Sequence, residues 1–178
     1  MTHIAGMEAL DSLSMTDIAV QRTKERFPAT DADAMHLVLL LHRVANVLTY
    51  DLESAVHRPR GLSWPAFRLL FTIWVGGELE SKAAAAQSGM SRAAVSSLVN
   101  TLDNLGFIQR TSDAQDKRKI LLSLTATGRS TLEDALQANN VQEQKWAQNL
   151  TRDDLQALIG LLSKLGQTAQ SEWVTHRD

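Results

Sequence analysis

The chain predicts a mainly α fold with a small β element, on three observations. Most segments carry apolar residues at helical spacing. One stretch, 107–125, changes to an alternation of period two. Glycine, proline and capping residues fall at the boundaries between them. The most informative order lies between Leu79 and Thr125: a short helix, a turn at Ser88-Gly89-Met90, a longer amphipathic helix, then a two-stranded hairpin with a charged tip. That order is a helix-turn-helix followed by a wing, with long helices on both sides.

Residues 1–30 form an extension of weak periodicity (Ile4, Met7, Leu10, Leu13, Ile18), read as an extra helix or a partly disordered leader, and closed by Pro28. Asp31 or Asp33 caps a long helix to about His57 whose apolar positions include Leu37, Leu40, Leu41, Val44, Val47, Leu48, Leu52 and Val56. Pro59 and Gly61 break it. Ser63 caps the next helix, which has Pro65 in its first turn and runs to Gly76-Gly77 with a stripe of Phe67, Leu70, Phe71 and Trp74.

The second motif helix starts at Ser91, whose hydroxyl suits an N-cap. It places Val95, Leu98, Val99, Leu102 and Leu105 on one face, and Ala93, Ser96, Ser97, Asn100 and Asn104 on the other. Gly106 ends it at the position where a left-handed backbone is wanted. Strands at Phe107–Thr111 and Lys119–Thr125 flank a tip from Ser112 to Arg118. Thr125 or Thr127 opens a long helix to about Gln148. Thr151-Arg152-Asp153-Asp154 caps a last helix through Trp173 that buries Leu155, Leu158, Ile159, Leu162 and Leu165. The expected plan is an extension, 1–30, and one domain, 31–178, with a core at about 62–125 between long helices at about 33–58 and 126–173.

Composition narrows the function classes. The net charge over 178 residues is −2, yet 88–125 carries +2, so the basic charge gathers on the motif. There is no cysteine, which removes disulfides, thiolate nucleophiles and Cys–zinc sites. No signal peptide is evident, and the apolar runs near Leu37–Leu41 and Leu69–Val75 fall far short of the ~20 residues a bilayer needs. The expected location is the cytoplasm. The five histidines, His3, His36, His42, His57 and His176, lack metal-ligand spacing, and no phosphate loop, nucleophile elbow or HExxH motif occurs. Neither an enzyme, a metal nor a cofactor is expected.

A helix face of small and amide side chains can approach the major groove and bond to base edges. Cations at the wing tip, beside Asp113 and Asp116, suit phosphates or a minor groove. The plain alternatives are a solvated helix face and a solvated hairpin.

The run Ser91-Arg92-Ala93-Ala94-Val95-Ser96-Ser97-Leu98-Val99-Asn100-Thr101-Leu102, followed by Leu105 to Arg110, resembles the recognition helix and first wing strand of MarR-like winged-helix regulators. Asp113 to Lys119 and Leu122 to Arg129 are similar to that family's wing signature and its entry to the next helix, and Gly61 to Phe67 to the start of its second helix. The likeness covers about Asp33 to Trp173, in the family's order and spacing. It departs at Gln115, where the family usually has a wing-tip arginine, at Ser97, where a larger polar or basic contact is common, and at Glu80, which replaces a Ser or Thr cap that Ser81 could supply.

The resemblance implies a DNA-binding transcriptional regulator, most simply a repressor released by a small, often aromatic effector. Ser91, Arg92, Ala93, Ser96, Ser97 and Asn100 would enter the groove, with Gln115, Lys117 and Arg118 at the wing. Arg118 has a second option, pairing with Asp116 to shape the wing. The effector candidates are His42, Arg43, Asn46, Tyr50, Trp64, Phe67, Arg68 and Phe71, where aromatic walls and a cation suit an aromatic carboxylate. Core packing and surface placement are the plain readings of the same residues. The apolar stripes of the long helices exceed what one small core can cover, so a two-fold homodimer through these dimerisation helices is expected, reading an inverted-repeat operator of double-stranded DNA. The competing reading is a winged-helix module that binds protein without specific DNA binding.

Overall fold

The computed structural model describes residues 12–113 and 116–174. Two compact units are present, 1–51 and 52–178.

The first unit holds α1 (Ser12–Arg26) and nearly all of α2 (Ala32–Leu52). Within the stretch read as an extension, the described residues form α1, and Ile4, Met7 and Leu10 lie outside them. Of the two candidate caps, Asp31 does the work: its Oδ1 accepts from the Ala34 N–H at 3.0 Å. His36 Nε2 lies 3.2 Å from Asp17 Oδ1.

The second unit begins where α2 changes character. Glu53–His57 is a π-helical turn and Arg58–Arg60 a 3-10 turn, so the regular helix stops five residues before the expected end at His57. Next comes α3 (Trp64–Gly76), capped by Ser63, whose hydroxyl accepts from the Ala66 N–H at 3.3 Å. Its buried face is Ala66, Phe67, Leu69, Leu70 and Ile73. Phe71 and Trp74 of the expected stripe are each 40 % exposed, because the helix is apolar round most of its circumference and spacing alone does not choose the inner face.

The motif follows as α4 (Ser81–Ser88), a turn at Gly89-Met90, and α5 (Arg92–Asn104). Glu80, not Ser81, occupies the N-cap position of α4, and it makes no side-chain capping bond. Leu79–Glu80 forms a two-residue strand, β1, that the sequence reading placed in a helix. It pairs antiparallel with β3 (Ile120–Leu124), Leu79 opposite Leu122, and β3 pairs in turn with β2 (Ile108–Ser112), Ile108 opposite Leu124. The sheet order is β1-β3-β2.

The core lies under the motif. Val95, Val99 and Leu102 of α5, Ile108 of β2 and Leu122 of β3 meet the inner face of α3 and Leu132 and Ala135 of α6 (Ala126–Ala147). Leu98 packs half-buried at its edge, whereas Leu105 is exposed: it sits at the C-cap, where the chain turns away. Thr125 settles the start of α6, its Oγ1 accepting from the Gly128 N–H at 3.0 Å and donating to the Gly106 carbonyl at 2.6 Å. The helix comes so close to the wing here that a Cβ on Gly128 would fall 1.8 Å from the Phe107 carbonyl oxygen.

The last helix, α7 (Arg152–Gln167), opens with a capping box in which Thr151 and Asp154 bond reciprocally. It ends before Trp173, passing into a 3-10 turn at Thr168–Gln170. The sequence reading buries its apolar stripe, but no residue of α7 is buried, and Leu158, Ile159, Leu161, Leu162 and Leu165 are 39 to 62 % exposed. The stripe is real; its covering surface does not come from the described residues of this chain.

Candidate nucleic-acid interface

The site is built on α5. Ser91 turns the chain into the helix, its Oγ accepting from the Ala94 N–H at 3.2 Å. With Val95, Val99 and Leu102 sunk in the core, helical geometry leaves Arg92, Ala93, Ser96, Ser97 and Asn100 outward, and all five are exposed. The surface is low and polar, and it bears no aromatic or long aliphatic group. Arg92, in the first turn, has no partner among the described residues.

The wing tip is shaped by its acids. Asp113 Oδ1 accepts from the Asp116 N–H at 2.8 Å, and Asp116 Oδ1 from the Arg118 N–H at 3.1 Å. The link between Asp116 and Arg118 therefore runs through the backbone amide, and the Arg118 guanidinium makes no ion pair among the described residues. Lys117 is likewise exposed and unpaired among them. Lys119 is tied back to Glu80 at 3.3 Å. Gln115 lies outside the described residues.

One group escaped the sequence reading. Arg110, on β2, reaches back to α5: its Nε lies 2.9 Å from Asp103 Oδ2 and its Nη2 donates to Asn100 Oδ1 at 2.5 Å. The signal available in the sequence was the Asn100/Asp103 pair, three apart on one helix face, followed by an arginine just past the Gly106 turn.

The effector candidates fall in both units. On α2, in the first, His42 and Tyr50 are exposed, as is Asn46, and Arg43 is half-buried. On α3, in the second, Trp64, Phe67 and Phe71 stack in succession, with centroids 5.9 and 6.2 Å apart, and Trp74 continues the row at 6.0 Å. Phe67 is buried in the core. The row begins at His57, buried completely and stacked 4.3 Å from Phe67. His57 Nε2 donates to Asn139 Oδ1 at 3.1 Å, while Nδ1 is buried without a partner among the described residues. Burial holds its pKa below the usual histidine value, against smaller opposing effects of Asn139 and Glu53. Arg68 and Phe71 border a cleft of about 280 Å³ with Thr72, Val75, Gln87 and Ser88. The Arg68 guanidinium donates to the Ser88 carbonyl, the last of α4. Among the described residues no group of three potential metal ligands gathers, and no helix is long and apolar enough to cross a membrane.

A three-helix core with a wing, the second motif helix turned outward, defines a winged helix-turn-helix regulator. Comparison with known proteins agrees. The MarR family's profile matches residues 62–120. YwaE, an uncharacterised HTH-type transcriptional regulator of Bacillus subtilis, is 32 % identical over 75 % of this chain and 78 % of its own. YetL, an HTH-type transcriptional repressor of the same organism, is 25 % identical over 79 % of this chain and 85 % of its own. Among solved structures, the repressor CouR bound to a 23-mer DNA duplex superposes with a TM-score of 0.68 at 25 % identity, covering 73 % of this chain and 92 % of its own. The chain belongs to the MarR family of transcriptional regulators, which are not enzymes.

Proposed function

We propose that this protein is a homodimeric, sequence-specific DNA-binding repressor, acting in the cytoplasm and released by a small effector. The observation that carries the reading is the outward face of α5, Arg92, Ala93, Ser96, Ser97 and Asn100, mostly small and rich in hydrogen-bonding groups, beside a wing whose Lys117 and Arg118 make no ion pair among the described residues. Such a face fits a major groove, where small side chains let the helix seat closely and hydroxyl and amide groups meet base edges. Arg92, Lys117 and Arg118 would hold phosphates, with Gln115 at the tip. The apolar face of α7, uncovered among the described residues, supports the dimer. Two recognition helices about 34 Å apart would then address an inverted-repeat operator.

The cleft beside Arg68 and Phe71 supports the effector. A carboxylate competes well for a guanidinium held by a neutral carbonyl, because charge-assisted bonds are about twice as strong. Drawing Arg68 from Ser88 loosens the end of α4, next to the turn that aims α5. The test is a salt series of titrations against the gene's own upstream intergenic DNA, with Arg118→Glu alongside. Tight binding that weakens with salt and falls at least tenfold or so in the variant supports the reading. Equal, weak binding of both proteins to any duplex favours the protein-interaction alternative.

A further inference from the structure

The hydrogen bond from Arg110 decides which end of the Asn100 amide is free. An asparagine amide has one accepting and one donating end, and a free one meets adenine with both, accepting from N6 and donating to N7. Asn100 is not free. A guanidinium has donors only, so the end facing Arg110 Nη2, 2.5 Å away, is the oxygen. Arg110 also pairs with Asp103 through Nε at 2.9 Å, so two partners on α5 orient its guanidinium. With the oxygen so engaged, the end of the amide left to meet a ligand is the NH₂, on a residue of the exposed face of α5 that carries Ser96 and Ser97.

We infer that Asn100 is a donor-only reader, held in that state by Arg110, and that it selects a base edge made of acceptors. The inference rests on the DNA reading above. Guanine, with N7 and O6, satisfies the outward NH₂ fully, and thymine offers O4. Adenine offers N7 but leaves its own N6 donor facing a donor, and cytosine offers only a donor. The expected order at one position of each half-site is guanine, then thymine, then adenine, then cytosine, with guanine over adenine by a factor on the order of ten. Arg110 is a positioning residue, because its effect on base choice passes through Asn100.

The experiment is selection of bound duplexes from a randomised pool by the full-length protein at one fixed salt concentration, for wild type, Asn100→Ala, Asn100→Asp and Arg110→Ala. Asn100→Ala locates the position, as the one whose preference flattens. Wild type is expected to favour guanine there. Arg110→Ala releases the amide, and adenine is expected to rise to or above guanine at that position alone, which a general loosening of the wing does not produce. Asn100→Asp keeps the Arg110 contact and turns an acceptor outward, moving the preference to cytosine; it also covers the case in which Arg110→Ala fails to fold. The inference is overturned if wild type already favours adenine there, if no position flattens in Asn100→Ala, or if neither remaining variant changes base order. If wild type selects no sequence at all, the DNA reading fails and takes this inference with it; a normal wild-type selection with unchanged variants overturns the inference alone.

Discussion

Protonating His57 would place a proton on Nδ1, where no described residue accepts it, in a position stacked against Phe67. Its folded pKa is lowered, first by burial, with Arg60 adding to this and Asn139 and Glu53 opposing. Between that value and the unfolded value near 6.5, the unfolded chain binds more protons than the folded one. The stabilisation is therefore complete above about pH 6.5 and is lost as pH falls below it, at no more than about 1.4 kcal/mol per pH unit. Urea denaturation at pH 7.5 and 5.5 is expected to show this loss, and His57→Gln to remove most of it. In the sequence His57 is a histidine at a helix end with no sign of its role, since burial is a property of the packed core. The same holds for Arg110: its residue type was legible, but its partners Asn100 and Asp103 are set by how β2 folds back on α5.

Helix boundaries were legible where a side chain closes a backbone bond locally, as Ser63, Ser91 and Thr151 do. They were not where tertiary geometry decides. The strand at Leu79–Glu80 is too short to alternate and exists only because β3 lies beside it. The π-helical turn at Glu53–His57 has no breaker of its own in the sequence. Thr125 joins two elements, capping α6 and bonding the Gly106 carbonyl before the wing. Thr125→Ala should cost about 1–2 kcal/mol, lowering the melting temperature by several degrees in a calorimetric scan. Gly128→Ala should cost more, because the added methyl meets the Phe107 backbone at 1.8 Å, and backbone cannot turn aside as a side chain does.

Over the molecule, the winged-helix order was legible because caps, glycines and a change of period mark each junction, whereas the role of α7 required coordinates. Its apolar stripe reads as buried from sequence, yet stays uncovered among the described residues. In the proposed dimer that stripe is interface. Ile159→Asp with Leu162→Asp should convert dimer to monomer in sedimentation while leaving the wing core folded, and operator affinity should fall with it, since one half-site then binds alone. The most direct test of the account is competition between the selected operator and random duplex for wild type and Ser97→Glu, which puts a carboxylate on the outward face of α5 without touching the core. The account predicts strong discrimination by wild type and its loss in the variant at unchanged melting temperature. Equal preference for operator in both proteins would contradict it, by showing that α5 does not face the bases.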